Sequence, residues 1–152
     1  MITYNHLEEY VCRFLHLIDV YSPHQLNLEN VHTRLGLQLF YIPHNSMAID
    51  GAVFLDNRKT EAEQWEDFAH EICHVLIHAG DQAVLPLPMR EYQEWKAENF
   101  AQHFCIPTFM LERLNLPAYE KDAVWTIMET FQVSRPFAEK RLHQYLQNVM
   151  YR

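Results

Sequence analysis

The sequence has little of what marks several large classes of protein. Only three glycines and seven prolines occur in 152 residues, which excludes a collagen-like chain and argues against a flexible linker. Its apolar runs fall well short of the roughly 18 residues that span a bilayer. The first residues also lack the basic and apolar segments of a signal peptide. We therefore expect a cytoplasmic globular protein that does not enter a membrane.

Cysteine and positive charge are scarce as well. The three cysteines, Cys12, Cys73 and Cys105, are odd in number and far apart, which predicts free thiols in a reducing compartment. Twelve Lys and Arg stand against 20 Asp and Glu, so the net charge of −8 has the wrong sign for a phosphate-binding surface, and nucleic-acid binding is not expected. Histidine is abundant instead, with ten residues, and histidine is the commonest metal ligand and acid–base group.

The periodicity of apolar residues predicts one mainly helical α+β domain over residues 1–152. The α-helical period of 3.6 residues dominates, and a β-type stretch interrupts it once. The predicted segments are N-terminal helices over 1–36, a β-hairpin over 37–56, two long helices over 60–107 and a C-terminal pair of helices over 108–152. Gly36 is a natural residue to end the second helix.

The β-type stretch consists of Leu37–Ile42 and Met47–Leu55, with a turn over residues 43–46 between them. We predict that these two strands pair as an antiparallel hairpin. Gly51 falls within the second strand. There it would either let another backbone approach closely or mark a β-bulge.

The strongest helical pattern contains His70-Glu71-Ile72-Cys73-His74, an HExxH motif. Residues four apart in a helix share a face one turn apart, so two such imidazoles can bind one tetrahedral Zn²⁺. The glutamate beside the first histidine is placed to act as general base toward water. The motif therefore predicts a zinc site with His70 and His74 as ligands and Glu71 as base. The competing interpretation is two surface histidines beside a solvated glutamate.

A third histidine, His78, follows His74 by four residues but does not complete the site. It lies about 12 Å from His70 along a helix axis, which is too far for both to bind one zinc ion. The extended metzincin motif is also excluded, because Ile77 and Gly80 occupy the positions of its glycine and last histidine. We expect His78 to pack at the helix end or to line the cleft.

The third zinc ligand is expected to be a carboxylate from the next helix, residues 88–106. Catalytic zinc sites use three protein ligands, and this helix carries Glu91, Glu94 and Glu98 along one face. Spacing alone does not choose among them, and a solvated acidic face is the alternative for each. Two histidines on one helix and a glutamate on the next form a gluzincin arrangement, in which a further acidic residue often orients a ligand histidine.

Several segments together resemble the ImmA/IrrE metallopeptidase family, over about residues 25–145. Phe68–His78 looks like its active-site helix, and Glu94–Ala101 followed by Pro107 resembles its second motif, Glu-x-x-Ala-(Asn or Asp)-x-Phe-Ala. Further similar segments are the strand Ala48–Asp56 and the C-terminal pattern Phe131-Gln132-Val133-Ser134 with Arg141-Leu142.

Carried over by position, the resemblance implies that His70, His74 and Glu94 are the metal ligands and that Glu71 is the base. It places Glu98 where the family has Asn or Asp. This departure keeps an acceptor for an imidazole N–H on a longer side chain.

The resemblance also implies a function. Family members of this size occur in phages and mobile elements, where they promote cleavage of a helix-turn-helix repressor. We therefore expect a site-specific zinc protease that cleaves or inactivates such a repressor. The alternative is a zinc-bearing protein that antagonises a repressor by binding without cleavage. A further hypothesis is DNA binding by the C-terminal helices, because Arg135, Lys140, Arg141 and Arg152 make this end locally basic, although the acidic total charge argues against it.

Overall fold

The structure, a computed structural model, describes residues 4–76 and 87–150, and of residues 87–93 it describes the backbone only. The elements in chain order are α1 (His6–Leu17), a 3₁₀ turn (Pro23–Gln25), α2 (Leu28–Leu35), β1 (Gln38–Ile42), β2 (Met47–Ile49), β3 (Ala52–Asp56), α3 (Glu61–Leu76), α4 (Leu87–Cys105), α5 (Thr108–Leu111), α6 (Glu120–Phe131) and α7 (Arg135–Met150). The predicted class, a mainly helical α+β fold with a small sheet, is confirmed.

Local signals fix the two N-terminal helices. At the start of α1 the side chain of Asn5 accepts from the backbone N–H of Glu8, and the Glu8 carboxylate accepts from that of Asn5, forming a capping box. At the end of α2, Gly36 adopts the left-handed conformation with φ of 68°. Gly36 therefore ends the helix as predicted.

The sheet corrects the predicted pairing of its strands. Its order is β1-β3-β2, in which β1 runs parallel to β3 and β2 runs antiparallel to β3. The prediction that Leu37–Ile42 pairs antiparallel with Met47–Leu55 was therefore wrong. The second segment contains two strands, and the hairpin that precedes α3 is formed by β2 and β3.

A two-residue turn at Asp50 and Gly51 causes this difference. Both residues have positive φ, 50° and 78°, as the type I′ hairpin turn requires. Gly51 thus makes a turn, so neither predicted alternative, a bulge or a close approach within a strand, is correct. The turn also places β2 at an edge of the sheet.

The packing of α3 positions the functional residues. Its buried side chains recur at helical spacing and are Trp65, Phe68, Ala69, Ile72 and Cys73. The Trp65 ring lies 5.9 Å from that of Phe104 on α4, and Phe104 lies 6.1 Å from Phe14 on α1. Burial of this face leaves a second stripe, Asp67, His70, Glu71 and His74, for the site.

The C-terminal helix α7 is anchored by a buried arginine. Arg141 is 0% exposed, and its guanidinium donates to the carbonyl of Ile106 and to the hydroxyl of Thr108, both at 2.9 Å. The Thr108 hydroxyl in turn donates to the buried carboxylate of Glu8 on α1. Since Arg141 is enclosed, it is not available to contact DNA phosphates, which removes one of the basic residues on which the DNA-binding hypothesis depended.

Across the described residues, no helix combines the length and the apolar character that crossing a bilayer would require.

Candidate metal centre

Three predicted ligands meet between α3 and α4. One carboxylate oxygen of Glu94 lies 2.7 Å from Nε2 of His70, and the other lies 3.1 Å from Nε2 of His74. The potential ligand atoms of these three residues all lie within 4.8 Å of one another. The structure therefore brings the HExxH histidines of α3 together with a carboxylate from the next helix.

This donor set fits a divalent metal ion. Two imidazoles and one carboxylate form a known ligand set of catalytic zinc sites. Ligand atoms bound tetrahedrally at about 2.0–2.1 Å lie about 3.3 Å apart, close to the separations of Glu94 from the two histidines. The side chain of Glu94 is 46% exposed, so the centre is open to solvent on one side. Such a centre can hold an ion and still admit water.

Glu98 approaches His70 from the other side of the ring. Its carboxylate lies 3.6 Å from Nδ1 of His70, and its second oxygen lies 3.7 Å from Nζ of Lys140 on α7. Glu94 therefore faces the nitrogens that point to the centre, whereas Glu98 faces the nitrogen that points away from it. Helical spacing alone does not distinguish these two carboxylates, but they differ in which nitrogen of His70 they face.

The charges around the centre favour a cation. Burial lowers the pKa of His70, but the carboxylates of Glu98 and Glu94 outweigh it and raise that pKa to about 9. At His74 burial is the larger effect, and its pKa is lowered despite Glu94. Excess negative charge at His70 stabilises a positive charge there, whether carried by a proton or by a metal ion.

Glu71 lies beside the centre in a different environment. Burial raises the pKa of its carboxyl to about 7, with a further contribution from the charge of Glu94, and the opposing charge of His70 does not cancel this. A carboxyl group with a pKa near neutrality can both accept and release a proton under physiological conditions. This property suits the predicted general base.

His70 and Glu71 open into a cleft of about 290 Å³. Its walls also include Asn45 and Ser46 from the segment between β1 and β2, and Lys59 from the segment before α3. The Lys59 ammonium lies 2.9 Å from the Asp67 carboxylate. The part of the cleft wall that these residues form is therefore polar and charged.

The contact between the segment before β2 and helix α3 was not predicted from the sequence. The Ser46 hydroxyl donates to the Asp67 carboxylate at 2.6 Å and accepts from the backbone N–H of Asp56 at 2.9 Å. Asp67 stands four residues before Glu71 on the same stripe, so helical spacing contains a signal for it. Ser46 comes from a turn 21 residues earlier and carries no such signal. His78 and the side chain of Glu91 lie outside the described residues.

Comparison with known proteins agrees with this geometry. Residues 28–143 match the peptidase M78 family, described as the IrrE N-terminal-like domain. The uncharacterized protein YqaB of Bacillus subtilis (strain 168) is 39% identical over 147 residues, which cover 94% of this chain and 86% of YqaB. The phage-like element PBSX protein XkdA of the same organism is 39% identical over 145 residues, 93% of this chain and 73% of XkdA. The chain therefore belongs to the peptidase M78 family of metallopeptidase-like domains, as the resemblance of its two helical motifs predicted.

Proposed function

We propose that this protein is a zinc-dependent peptidase in which His70, His74 and Glu94 bind the ion and Glu71 is the general base. The observation that carries the proposal is the Glu94 carboxylate, which lies against both imidazoles of the HExxH motif beside an open cleft. Membership of the peptidase M78 family supports it.

In this proposal Glu71 and Glu98 have separate roles beside the zinc ion. When bound, zinc polarises a carbonyl and increases the acidity of water. The Glu71 carboxylate accepts a proton from the attacking water and delivers it to the leaving amine. The Glu98 carboxylate lies 3.6 Å from Nδ1 of His70, and its negative charge there favours the ring orientation that directs Nε2 at the centre.

The metal assignment predicts about one zinc ion per chain. The measurement is elemental analysis of protein folded in zinc-containing medium and freed of excess metal. Nickel or iron in place of zinc would correct the identity of the ion. A protein that holds no metal at all would refute the site.

The assignment of Glu71 predicts that Glu71→Gln keeps its zinc but loses peptide cleavage, by about 10²–10⁴-fold or more. Glu61→Gln is the matched control, because it removes the same charge from an exposed position in the first turn of α3. Both variants are compared for zinc content and for cleavage of a peptide mixture. Cleavage by Glu71→Gln at the rate of the control would show that Glu71 is not the base.

We infer further that the substrate is a helix-turn-helix repressor of a phage or mobile element. The support is the family resemblance together with the relative XkdA, which is by name a protein of a phage-like element. The edge strand β2 follows directly on the cleft residue Ser46, and an exposed edge can pair with an extended substrate segment.

The test incubates zinc-loaded protein with the repressor encoded beside its gene, and mass spectrometry identifies the fragments. Defined fragments that Glu71→Gln does not produce would support proteolysis. If the repressor loses DNA binding without being cut, and Glu71→Gln acts equally well, the alternative of a non-proteolytic antagonist is correct.

A further inference from the structure

One face of the sheet presents a row of apolar side chains to solvent. The strand register pairs Phe40 with Phe54 and Phe54 with Met47, so these three lie in one row across the sheet. The rings of Phe40 and Phe54 stack with centroids 5.2 Å apart. Ile49 follows Met47 by two residues and shares its face. Met47 is 37% and Ile49 51% exposed.

The strand that carries Met47 and Ile49 is fixed relative to the candidate centre. β2 is an edge strand, and Ser46 immediately before it lines the cleft. The hydrogen bond from Ser46 to Asp67 joins the start of β2 to α3, one helical turn before Glu71. A peptide paired with β2 would therefore run out of the cleft at a set offset from Glu71.

We propose that Met47 and Ile49 determine specificity, selecting substrates whose segment beside β2 has apolar side chains at every second position. This inference rests on the proposed peptidase function and adds the substrate class. In a strand added to β2, alternate side chains lie on the outer face and contact Met47 and Ile49 as cross-strand neighbours. Phe54 and Phe40 lie beside Met47 in the same row, so each such contact extends an existing apolar surface.

The intervening positions of the same peptide meet a different environment. They point to the side of the sheet on which α3 lies, because Val53 and Leu55 of β3 are buried there. On that side the cleft presents Lys59 and Asp67. The preferred substrate segment is thus amphipathic in the β sense, apolar on one side and polar on the other.

The test uses two labelled peptides of identical composition. One contains five Val-Ser repeats between lysine pairs, and its isomer arranges the same ten residues as Val-Val-Ser-Ser-Val-Val-Ser-Ser-Val-Ser, in which no two valines are two positions apart. Both are titrated against zinc-loaded Glu71→Gln protein, which removes cleavage from the measurement. We expect the alternating peptide to bind up to about fivefold more tightly, since it can contact Met47 and Ile49 at once whereas its isomer can place a valine opposite only one of them.

Substitutions then assign the preference to residues. Met47→Thr with Ile49→Thr keeps β-forming side chains but removes the apolar surface, and should reduce the preference to less than about twofold. Leu17→Thr, which alters an exposed apolar residue on α1, should leave it unchanged. Equal binding of the two isomers, or a preference that survives the double substitution, would overturn the proposal. A wild-type dimer that dissociates on the double substitution would overturn it too, by assigning the row to contact between two copies.

The proposed peptidase function and the proposed specificity can fail independently of each other. If the alternating peptide is preferred but the active protein cleaves neither this peptide nor any other, the specificity stands and the peptidase assignment fails. If the protein cleaves peptides without an alternating apolar pattern near the cut, the peptidase assignment stands and the specificity fails.

Discussion

At the scale of single residues, the clearest division of labour lies between Glu94 and Glu98. Both project from the same face of α4, only about 40° apart, so spacing alone does not show which of them is the metal ligand. In the folded protein Glu94 faces Nε2 of both histidines, whereas Glu98 faces Nδ1 of His70 alone. We propose that Glu94 binds the metal and that Glu98 orients His70.

This assignment predicts different losses of zinc affinity for the two substitutions. Glu94→Ala removes a ligand and should abolish most of the affinity, whereas Glu98→Ala should cost about 10–100-fold. Competition with a chelator of known affinity measures both. Glu129→Ala, an exposed acidic residue on α6, controls for the loss of one negative charge. A larger loss for Glu98→Ala than for Glu94→Ala would invert the roles.

Asp56 predicts a specific dependence of stability on pH. Hydrogen bonds from the side chain and backbone N–H of Arg58 lower the pKa of this buried carboxyl from 3.8 to about 2. A depressed pKa stabilises the folded state above the unfolded value, and that contribution disappears as the pH falls from about 4 to about 2. Asp56→Asn should therefore be less stable than wild type at pH 6, by a margin that narrows toward pH 2. Urea unfolding across this range measures the margin, and a constant difference would contradict the assignment.

The sequence was informative about the candidate centre where its residues are local. His70, Glu71 and His74 occupy five consecutive positions of one helix, so spacing alone places them on a common surface. The choice of Glu94 as the third ligand required the family resemblance, because nothing in α4 alone distinguishes its glutamates. The Ser46–Asp67 contact could not be anticipated, since two segments far apart in the chain form it only after folding.

At the scale of elements, the same contrast separates helices from strands. Helix α3 was predicted because it repeats its apolar face over several turns, whereas α4 was predicted from the two prolines near its ends, Pro88 and Pro107. The pairing of the strands was missed because partners are chosen by contacts between distant segments, and three-residue β2 is too short to show a period. One local signal was available: Asp50-Gly51 between two apolar runs is typical of a two-residue hairpin turn.

That turn predicts a cost for Gly51→Ala. Gly51 has φ of 78°, and a Cβ there would meet nothing within 4 Å, so the cost comes from the backbone conformation and not from a clash. We expect a loss of about 1–2 kcal/mol in the free energy of unfolding. Gly51→Asn should lose less, because Asn adopts the left-handed region more readily than Ala. Urea denaturation compares the two, and equal stability of Gly51→Ala and wild type would show that the turn rearranges.

At the scale of the whole molecule, the C-terminal segment braces the two helices of the candidate centre. Ser134, at the start of α7, donates two hydrogen bonds to Glu66 of α3, whose side chain lines the cleft. Further along α7, Arg141 holds the carbonyl of Ile106 just beyond α4. The C-terminal pattern noted in the sequence thus includes two residues, Ser134 and Arg141, that bind α7 to α3 and to the end of α4.

The buried network of Arg141 predicts that the brace contributes strongly to stability. Arg141→Met leaves the Ile106 carbonyl and the Thr108 hydroxyl without their donor and leaves the Glu8 carboxylate in a buried network without its cation. Removing one partner of a buried charged group typically costs about 3–5 kcal/mol. Arg135→Met, an exposed arginine on the same helix, should change stability by less than about 0.5 kcal/mol. Urea unfolding measures both variants.

A second substitution distinguishes two contributions to the stability loss of Arg141→Met. One is the uncompensated charge of the Glu8 carboxylate, and the other is the lost packing of the arginine side chain. Glu8→Gln keeps the capping box of α1, since Gln also serves at that position, but it removes the negative charge. If the uncompensated carboxylate dominates the cost, Glu8→Gln in the Arg141→Met background should recover part of the stability, although Glu8→Gln alone should be destabilising. Additive losses in the double variant would instead mean that Arg141 acts through its packing and its bonds to Ile106 and Thr108, and that the charge of Glu8 is satisfied without it.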